Sequence, residues 1–476
     1  MKPMTEFQGE LTFGRVSLSF MVPHGAEAVQ ITGTTVTKGF LYAAAYDGHG
    51  HFRGKVLFEK AHKSLNICAE QSGFGAIDGD LAAGEWSLEL YNLEGEFRSE
   101  RAMQYQVSIK LDQPVDTLVV DSVATVGRDH QISFDYSRLL SSESRWYRGD
   151  LHAHTQLSDG HNTLAAAKQI VEAQGLDFFF LTEHNICQPR LPLSDQCLFM
   201  PALEVTTDLG HFNVHGPQSA LDLRHVEHSS QSVMQAGLAL ASASHSSVSV
   251  NHPMMKPWHW QYAPLELDKV STFEVCCDPT WSTSPKATNS ALNVLNEMWN
   301  CGHRISAIGG SDSHLEPHER NPKATEPSLY GDPSTFVFSH GLCGEGILAG
   351  LRNGHVYLER RCGLSFAING NELLPGCDSK GQALCYQLAV DDMEHTYYAE
   401  CVVDGAVVNK VTLHNTEQML FVEAGYSWCR IDLRRAENDE FEGCINAVYD
   451  GDQPIFTTPL VKTWGELMER FNSDEV

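Results

Sequence analysis

The pair His152 and His154, in the run Gly149-Asp150-Leu151-His152-Ala153-His154-Thr155, sets the chemistry this chain is equipped for. Trp146, Tyr147 and Leu151 alternate with polar neighbours, the pattern of a strand, and Ser158-Asp159-Gly160 ends it as a turn. On a strand, side chains two apart leave the same face, so both imidazoles can hold one metal ion. Asp159 follows in the loop, within reach of a neighbouring ion. Four more clusters stand downstream: Thr182-Glu183-His184-Asn185, Glu204-Val205-Thr206-Thr207, Asn251-His252-Pro253 and Gly310-Ser311-Asp312-Ser313-His314. Between the second and third of these, Gly210–His215 alternates like one more strand and offers His211 and His215. Imidazoles suit transition metals, and carboxylates also suit Mn²⁺ or Fe²⁺ and can bridge two ions.

Each cluster follows an apolar run, and these runs are the elements that must position it. Phe178–Leu181 precedes Glu183 and His184, Leu198–Leu203 precedes Glu204, Val248–Val250 precedes His252, and Ile305–Ile308 precedes Asp312. Asn162–Gln174 reads as a helix capped by Asn162 and stopped at Gly175. Leu176–Leu181 then suits a strand buried on both faces. Alternating strands and helices point to a parallel sheet, open or closed into a barrel, where polar clusters gather at the C-terminal strand ends. Residues 146–360 hold 16 of the 23 histidines, a concentration that favours one site over scattered core histidines.

The flanks differ. Residues 1–140 carry short β-branched and aromatic segments (Leu11–Ser19, Gln30–Thr35, Phe52–Phe58, Ser87–Tyr91) between Gly/Asp/Asn turns, which predicts a β-sandwich. Residues 113–145 read as a connector. Residues 361–476 predict a second β-sandwich ending in an amphipathic helix over Thr463–Phe471.

The formal net charge of −28 argues against a nucleic-acid or anionic-membrane surface, and bound divalent cations would neutralise part of it. No apolar run is long enough to span a bilayer. Thirteen cysteines without Cys-x-x-Cys spacing, and no leader pattern near Met1, predict reduced thiols and a cytoplasmic protein.

Residues 146–360 resemble a PHP domain, the polymerase and histidinol phosphatase family, through Asp150-Leu151-His152-Ala153-His154-Thr155 with Ser158-Asp159-Gly160, Leu181-Thr182-Glu183-His184-Asn185, Leu203-Glu204-Val205-Thr206-Thr207 with Gly210-His211, Asn251-His252-Pro253 and Gly309-Gly310-Ser311-Asp312-Ser313-His314. The β-rich flanks and Glu-Val-Thr-Thr resemble the CehA/McbA-like branch, which contains carbamate hydrolases. The resemblance implies a distorted (β/α)7 barrel and two or three divalent ions, as Mn, Zn or Fe. His152, His154 and Asp312 would hold the first ion, with Glu204 bridging to the second. His211 and His252 would complete the second, with His215 as the alternative to His211. Asp159, His184 and His314 would hold the third. Glu183 stands where many members have Asp. Such ions turn a bound water into hydroxide near neutral pH.

The expected activity is metal-dependent hydrolysis of a small-molecule phosphoester, with Glu204, Asp312 and His314 acting in the reaction. The alternative is a carbamate, carboxylic ester or amide, and a third reading is a binding protein with structural metals. Lys256, Arg190 and Arg320, with His259 and His318 nearby, are candidates for gripping a phosphate. Trp258, Trp260 and Trp281 could wall an aromatic group, and Glu274 is a candidate further acid. The C-terminal β-sandwich carries no chemistry of its own; its expected job is to cover the barrel, shape the site's rim or form a homo-oligomer.

Overall fold

A computed structural model describes residues 4–36, 39–95, 102–112, 121–241, 246–451 and 460–474; part of the expected 113–145 connector lies outside these. The N-terminal region is two four-stranded antiparallel sheets face to face. One orders Met4–Leu11, Met103–Leu111, Ala28–Thr35 and Lys63–Cys68; the other Gly14–Val22, Gly84–Asn92, Leu41–Tyr46 and Phe52–Phe58. Alternation drives this: Leu18, Phe20 and Val22 bury against Trp86, Val29 and Ile31, while the residues between them face outward. The expected strand Leu11–Ser19 is instead interrupted at Thr12 and Phe13, where the chain passes from one sheet to the other.

The central region is built on part of a 13-stranded sheet. Arg145–Asp150, Phe178–Leu181 and Leu198–Thr207 run parallel. Leu198–Thr207 then turns back antiparallel into Gly210–His215, which pairs antiparallel with Ser247–Val250. Thr272–Cys277 and Ser306–Gly310 restore the parallel sense. Strict strand–helix alternation therefore fails at this hairpin, and the ladders do not by themselves close these seven strands into the expected (β/α)7 barrel. Its far end nonetheless returns to its start. The Asp312 amide donates to the His152 carbonyl at 2.7 Å, and Ala153 bridges Ser313 in parallel.

Helices Leu164–Ala173, Ser230–Leu238, Ser284–Asn300 and Gly344–Asn353 cover this sheet with apolar faces such as Leu292, Leu295 and Trp299. The first is capped by Thr163, whose hydroxyl accepts from the Ala166 amide at 3.1 Å, and not by Asn162. Asn162 is drawn instead to the loop beyond His314, where its Nδ2 donates to the Leu315 carbonyl at 2.9 Å.

The sheet does not stop at residue 360. Val356–Glu359 pairs with Phe441–Tyr449, which continues through Trp428–Arg435 and Tyr397–Val403 to the edge strand Ala406–Leu413. A three-stranded sheet, Leu364–Ile368, Leu384–Val390 and Gln418–Val422, packs over this extension around Tyr386, Leu388 and Ile431. The last helix, Trp464–Asp474, begins in a capping box: Thr463 Oγ1 accepts from the Glu466 amide at 3.3 Å, and Glu466 returns a carboxylate to the Thr463 amide at 3.2 Å. No helix among the described residues is long and apolar enough to cross a membrane.

Candidate metal centre

Four strands bring five histidines to one buried carboxylate, Glu204. Its strand, Leu198–Thr207, is buried along its whole length, so the carboxylate leaves the sheet into the interior. Oε1 lies 3.2 Å from His152 Nε2, 3.3 Å from His211 Nδ1 and 3.5 Å from His252 Nε2. Oε2 lies 2.6 Å from His184 Nδ1 and 3.7 Å from His154 Nε2. Asp312 Oδ1 sits 3.2 Å from His152 Nε2 and 3.0 Å from His154 Nε2. Asp159 Oδ1 sits 3.3 Å from His184 Nε2 and 3.2 Å from His314 Nε2. Ligand bonds of about 2.0–2.2 Å place neighbouring ligand atoms roughly 2.8–3.6 Å apart, so these spacings suit donors around shared ions. His152 Nε2, His154 Nε2, His211 Nδ1 and Asp159 Oδ1 are buried and make no hydrogen bond, a costly state unless a cation takes their lone pairs.

These side chains form a candidate site for divalent metal ions. The groupings overlap: His154 with Asp159, His184 and His314; His152 with His252 and Asp312; His152, His154 and Glu204; His184, Glu204 and His211. His154 thus faces the Asp159 group as well as Asp312, and its ring stacks on His314 at 4.2 Å and on His184 at 4.4 Å.

The alternatives His211 and His215 end up in different places, although both lie on Gly210–His215. His211 reaches Glu204. His215 points its Nε2 at the Leu151 carbonyl, 2.8 Å away, and packs on Phe180, so it supports the strand that presents His152. Glu183 is another support: the amides of Thr155 and Ser158 donate to it at 3.1 Å, as do both their hydroxyls, and this shapes the turn leading to Asp159. Glu274 accepts from His152 Nδ1 at 2.9 Å and from the His252 amide at 2.7 Å, which turns His152 Nε2 toward Glu204.

Three further residues of these motifs support the ligands. Asp150 accepts from the amides of His152, Ser311 and Gly331, tying the first and last strands of the centre together. Thr206 Oγ1 lies 2.7 Å from His184 Nδ1. Asn251 Nδ2 donates to Glu204 Oε1 at 2.8 Å. Only the position of Asp150 and Asn251 beside a ligand histidine hinted at such roles.

Backbone strain collects here too. Asn185, His252 and Asp312 hold φ of 52°, 29° and 46°, left-handed values that non-glycine residues avoid unless the surroundings impose them.

Electrostatics divides the imidazoles. Burial, with His314 and His184 nearby, lowers His154 to about 3, and burial lowers His211 to about 4. Burial also opposes protonation of His314, but Asp159 and Asp312 outweigh it and hold it up at about 10. His152 is raised well above the usual value because Asp312, Glu274 and Glu204 overcome its burial. Glu204 and Asp312, despite burial, are held far below the usual carboxylate range by the surrounding imidazoles.

Of the expected outer groups, Arg190 is turned away from the centre, donating to Asp78 at 2.8 Å and Ser122 at 3.2 Å. Arg320 donates to the carbonyls of Pro317 and Glu319, and His318 pairs with Glu316. Trp260 is core, packed on Phe212, with its indole N–H on the Tyr262 carbonyl. Trp258 and Trp281 form a half-buried edge-to-face pair, 5.6 Å apart, on the loops after the strands Ser247–Val250 and Thr272–Cys277.

No family model and no curated protein matches the chain. Among solved structures, it is similar to a two-domain protein of Bacteroides vulgatus containing a predicted PHP-like metal-dependent phosphoesterase. That likeness has 15% identity and a TM-score of 0.36, over 64% of this chain and 96% of that one. The g-type lysozyme inhibitor PliG of Aeromonas hydrophila overlaps 23% of this chain and 88% of its own, with 8% identity and a TM-score of 0.17. The carbohydrate-binding module CBM36, in complex with calcium and xylotriose, overlaps 23% and 99%, with 13% identity and a TM-score of 0.16. Overlaps this low do not establish a shared fold, so the chemistry rests on the chain's own residues.

Proposed function

We propose that this protein is a divalent-metal-dependent hydrolase whose preferred substrates are small phosphoesters. The observation that carries the reading is Glu204: a fully buried carboxylate with both oxygens among imidazoles, of which His152 Nε2, His154 Nε2 and His211 Nδ1 make no hydrogen bond. Ions bound there would supply an acidified water and stabilise the negative charge that grows on the attacked phosphoryl or carbonyl group. His152, His154, Asp159, His184, Glu204, His211, His252, Asp312 and His314 would hold them.

The chain's own contribution is orientation and charge. Glu274 fixes His152, Thr206 and Asn251 fix Glu204 and His184, and the Asp312 carbonyl, 2.7 Å from His314 Nδ1, turns His314 Nε2 toward Asp159. The open side is defined by exposure: the Asp312 and His314 side chains are 19% and 27% exposed, against 0% for Glu204. Substrate approaches over Asp312 and His314, and Glu204 lies beneath as the bridging charge.

A carbamate or carboxylic ester is the second reading. It is favoured by the engagement of Arg190 with Asp78, away from any phosphate, and by the apolar Trp258–Trp281 pair on the neighbouring loops. Metal-loaded protein assayed against aryl phosphomonoesters, phosphodiesters and aryl carbamates separates them. Phosphoester turnover that disappears with chelator is expected; carbamate turnover alone would select the second reading, and no turnover of any member would refute both.

A further inference from the structure

Among the described residues, the N-terminal β region supplies no member of the clusters around Glu204, yet it grips both loops that present Asp159 and His184. Lys55, in Phe52–Phe58 and only 3% exposed, donates from Nζ to the Asn185 carbonyl at 2.8 Å. Asn185 directly follows His184 in its left-handed conformation. Its side chain is held from the opposite side by the Thr206 backbone, at 2.9 and 3.1 Å. Lys63, 14% exposed and paired with Glu59 at 2.7 Å, donates to the carbonyl of Ser158, the residue before Asp159. The Leu57 amide donates to the Leu157 carbonyl at 3.3 Å. Gly75 keeps room for Leu157, since a Cβ there would stand 2.5 Å from its Cδ1. Phe40 lies against the His184 ring itself, with centroids 5.7 Å apart and planes 28° apart.

A buried ammonium is an expensive way to fill space. Burial pulls Lys55 down to about 8, and its neighbours include the rings of Tyr42 and Tyr91, 5.6 and 5.9 Å away. What the position gains is a donor long enough to cross from one region to a strained carbonyl of the other, in a charge-assisted hydrogen bond stronger than a neutral one. The same device recurs at Lys63, on the neighbouring ligand's loop.

We infer that the N-terminal β region is a positioning element for the ion held by Asp159, His184 and His314, with Lys55 and Lys63 fixing the backbone beside two of its three ligands. The inference rests on the metal-centre reading above and adds to it that this one subsite depends on contact between the two regions. His152, His211 and His252 have no such support from the β region among the described contacts, so the dependence is greatest at this subsite and reaches the ions nearer Glu204 only through His184.

The test uses the full chain, loaded with Mn²⁺ and dialysed, with metal per chain read by elemental analysis and affinity by calorimetric titration. Lys55→Met and Lys63→Met, singly and together, should bind one class of Mn²⁺ roughly 10–100-fold more weakly, the range typical for outer partners of ligands. After dialysis they should retain one ion fewer than the parent, matching the deficit of His184→Ala. Variants that keep the parent's stoichiometry and affinity, or that lose all ions together, would overturn the assignment. Lys63→Met alters a partly exposed side chain, so it carries the same expectation if Lys55→Met fails to fold. A parent chain that binds no Mn²⁺ would instead refute the metal centre itself, and the inference with it.

Discussion

At Glu204 the roles of charge and shape separate cleanly. Glu204→Gln keeps the volume and the Asn251 contact but removes the charge that lies among five imidazoles. It should lower both metal content and turnover while leaving the circular dichroism spectrum unchanged; each 10-fold loss of rate corresponds to about 1.4 kcal/mol of barrier. Full stoichiometry with near-parental turnover would show that Glu204 does not bridge. His211→Ala and His215→Ala should be unequal: the first loses an ion, whereas the second weakens binding by about 10–100-fold through a displaced His152. Metal analysis ranks them, and the reverse order would transfer the ligand role to His215. Protonation gives a further readout. His152 and His314, raised above their usual values by carboxylates, carry protons at neutral pH in the metal-free chain, so loading must expel protons and affinity must fall as pH falls. Calorimetry in buffers of different ionisation enthalpy should report net proton release near pH 7; zero release would contradict ligation by these two residues.

Among the elements, the strand Ser306–Gly310 and its neighbour Arg145–Asp150 meet with no spare volume. A Cβ on Gly310 would lie 2.4 Å from His152 Cβ and 2.5 Å from Glu274 Oε1. Gly310→Ala should therefore push His152 out of line with Glu204 and destabilise the fold by about 1–3 kcal/mol, as overpacking does. Thermal unfolding and metal content together check this, and a variant that keeps both would mean that the two strands can part. Strand ends were legible where a short apolar run precedes the ligand, as before His184, Glu204, His252 and Asp312. The hairpin Leu198–Thr207 to Gly210–His215 leaves no sign of its reversal in the sequence, since alternation in a fully buried antiparallel pair looks the same as in a parallel one. Asn162 shows the limit of local capping rules: its amide found partners on Leu315 and Tyr330, far along the chain, and the cap passed to Thr163.

For the whole molecule the acidic balance and the centre are linked. Glu204, Glu274, Glu183 and Asp150 are buried beside the partly exposed Asp312 and Asp159, and ions that bind only the folded chain stabilise it by mass action, about 4 kcal/mol at a thousandfold excess over Kd. Chelator treatment should lower the midpoint of thermal unfolding, and readdition of the metal should restore it. An unchanged midpoint would mean that protons on His152 and His314 balance the carboxylates as well as ions do. The continuous sheet across residue 360 and the lysine contacts from the β region join the flanks to the centre.

By itself the sequence determined which side chains could be ligands and that most of them would stand on or just after strands, because both facts are local: residue type, and periodicity over a few residues. It also carried the β-rich character of the flanks, since alternation and turn residues are equally local. Only the tertiary structure decided which clusters share which neighbours, that His154 faces Asp159 as well as Asp312, that His211 rather than His215 reaches Glu204, and that Lys55 meets Asn185. Those outcomes depend on sheet curvature, on the reversal at Gly210 and on contacts between residues more than a hundred positions apart, none of which leaves a periodic trace in the chain.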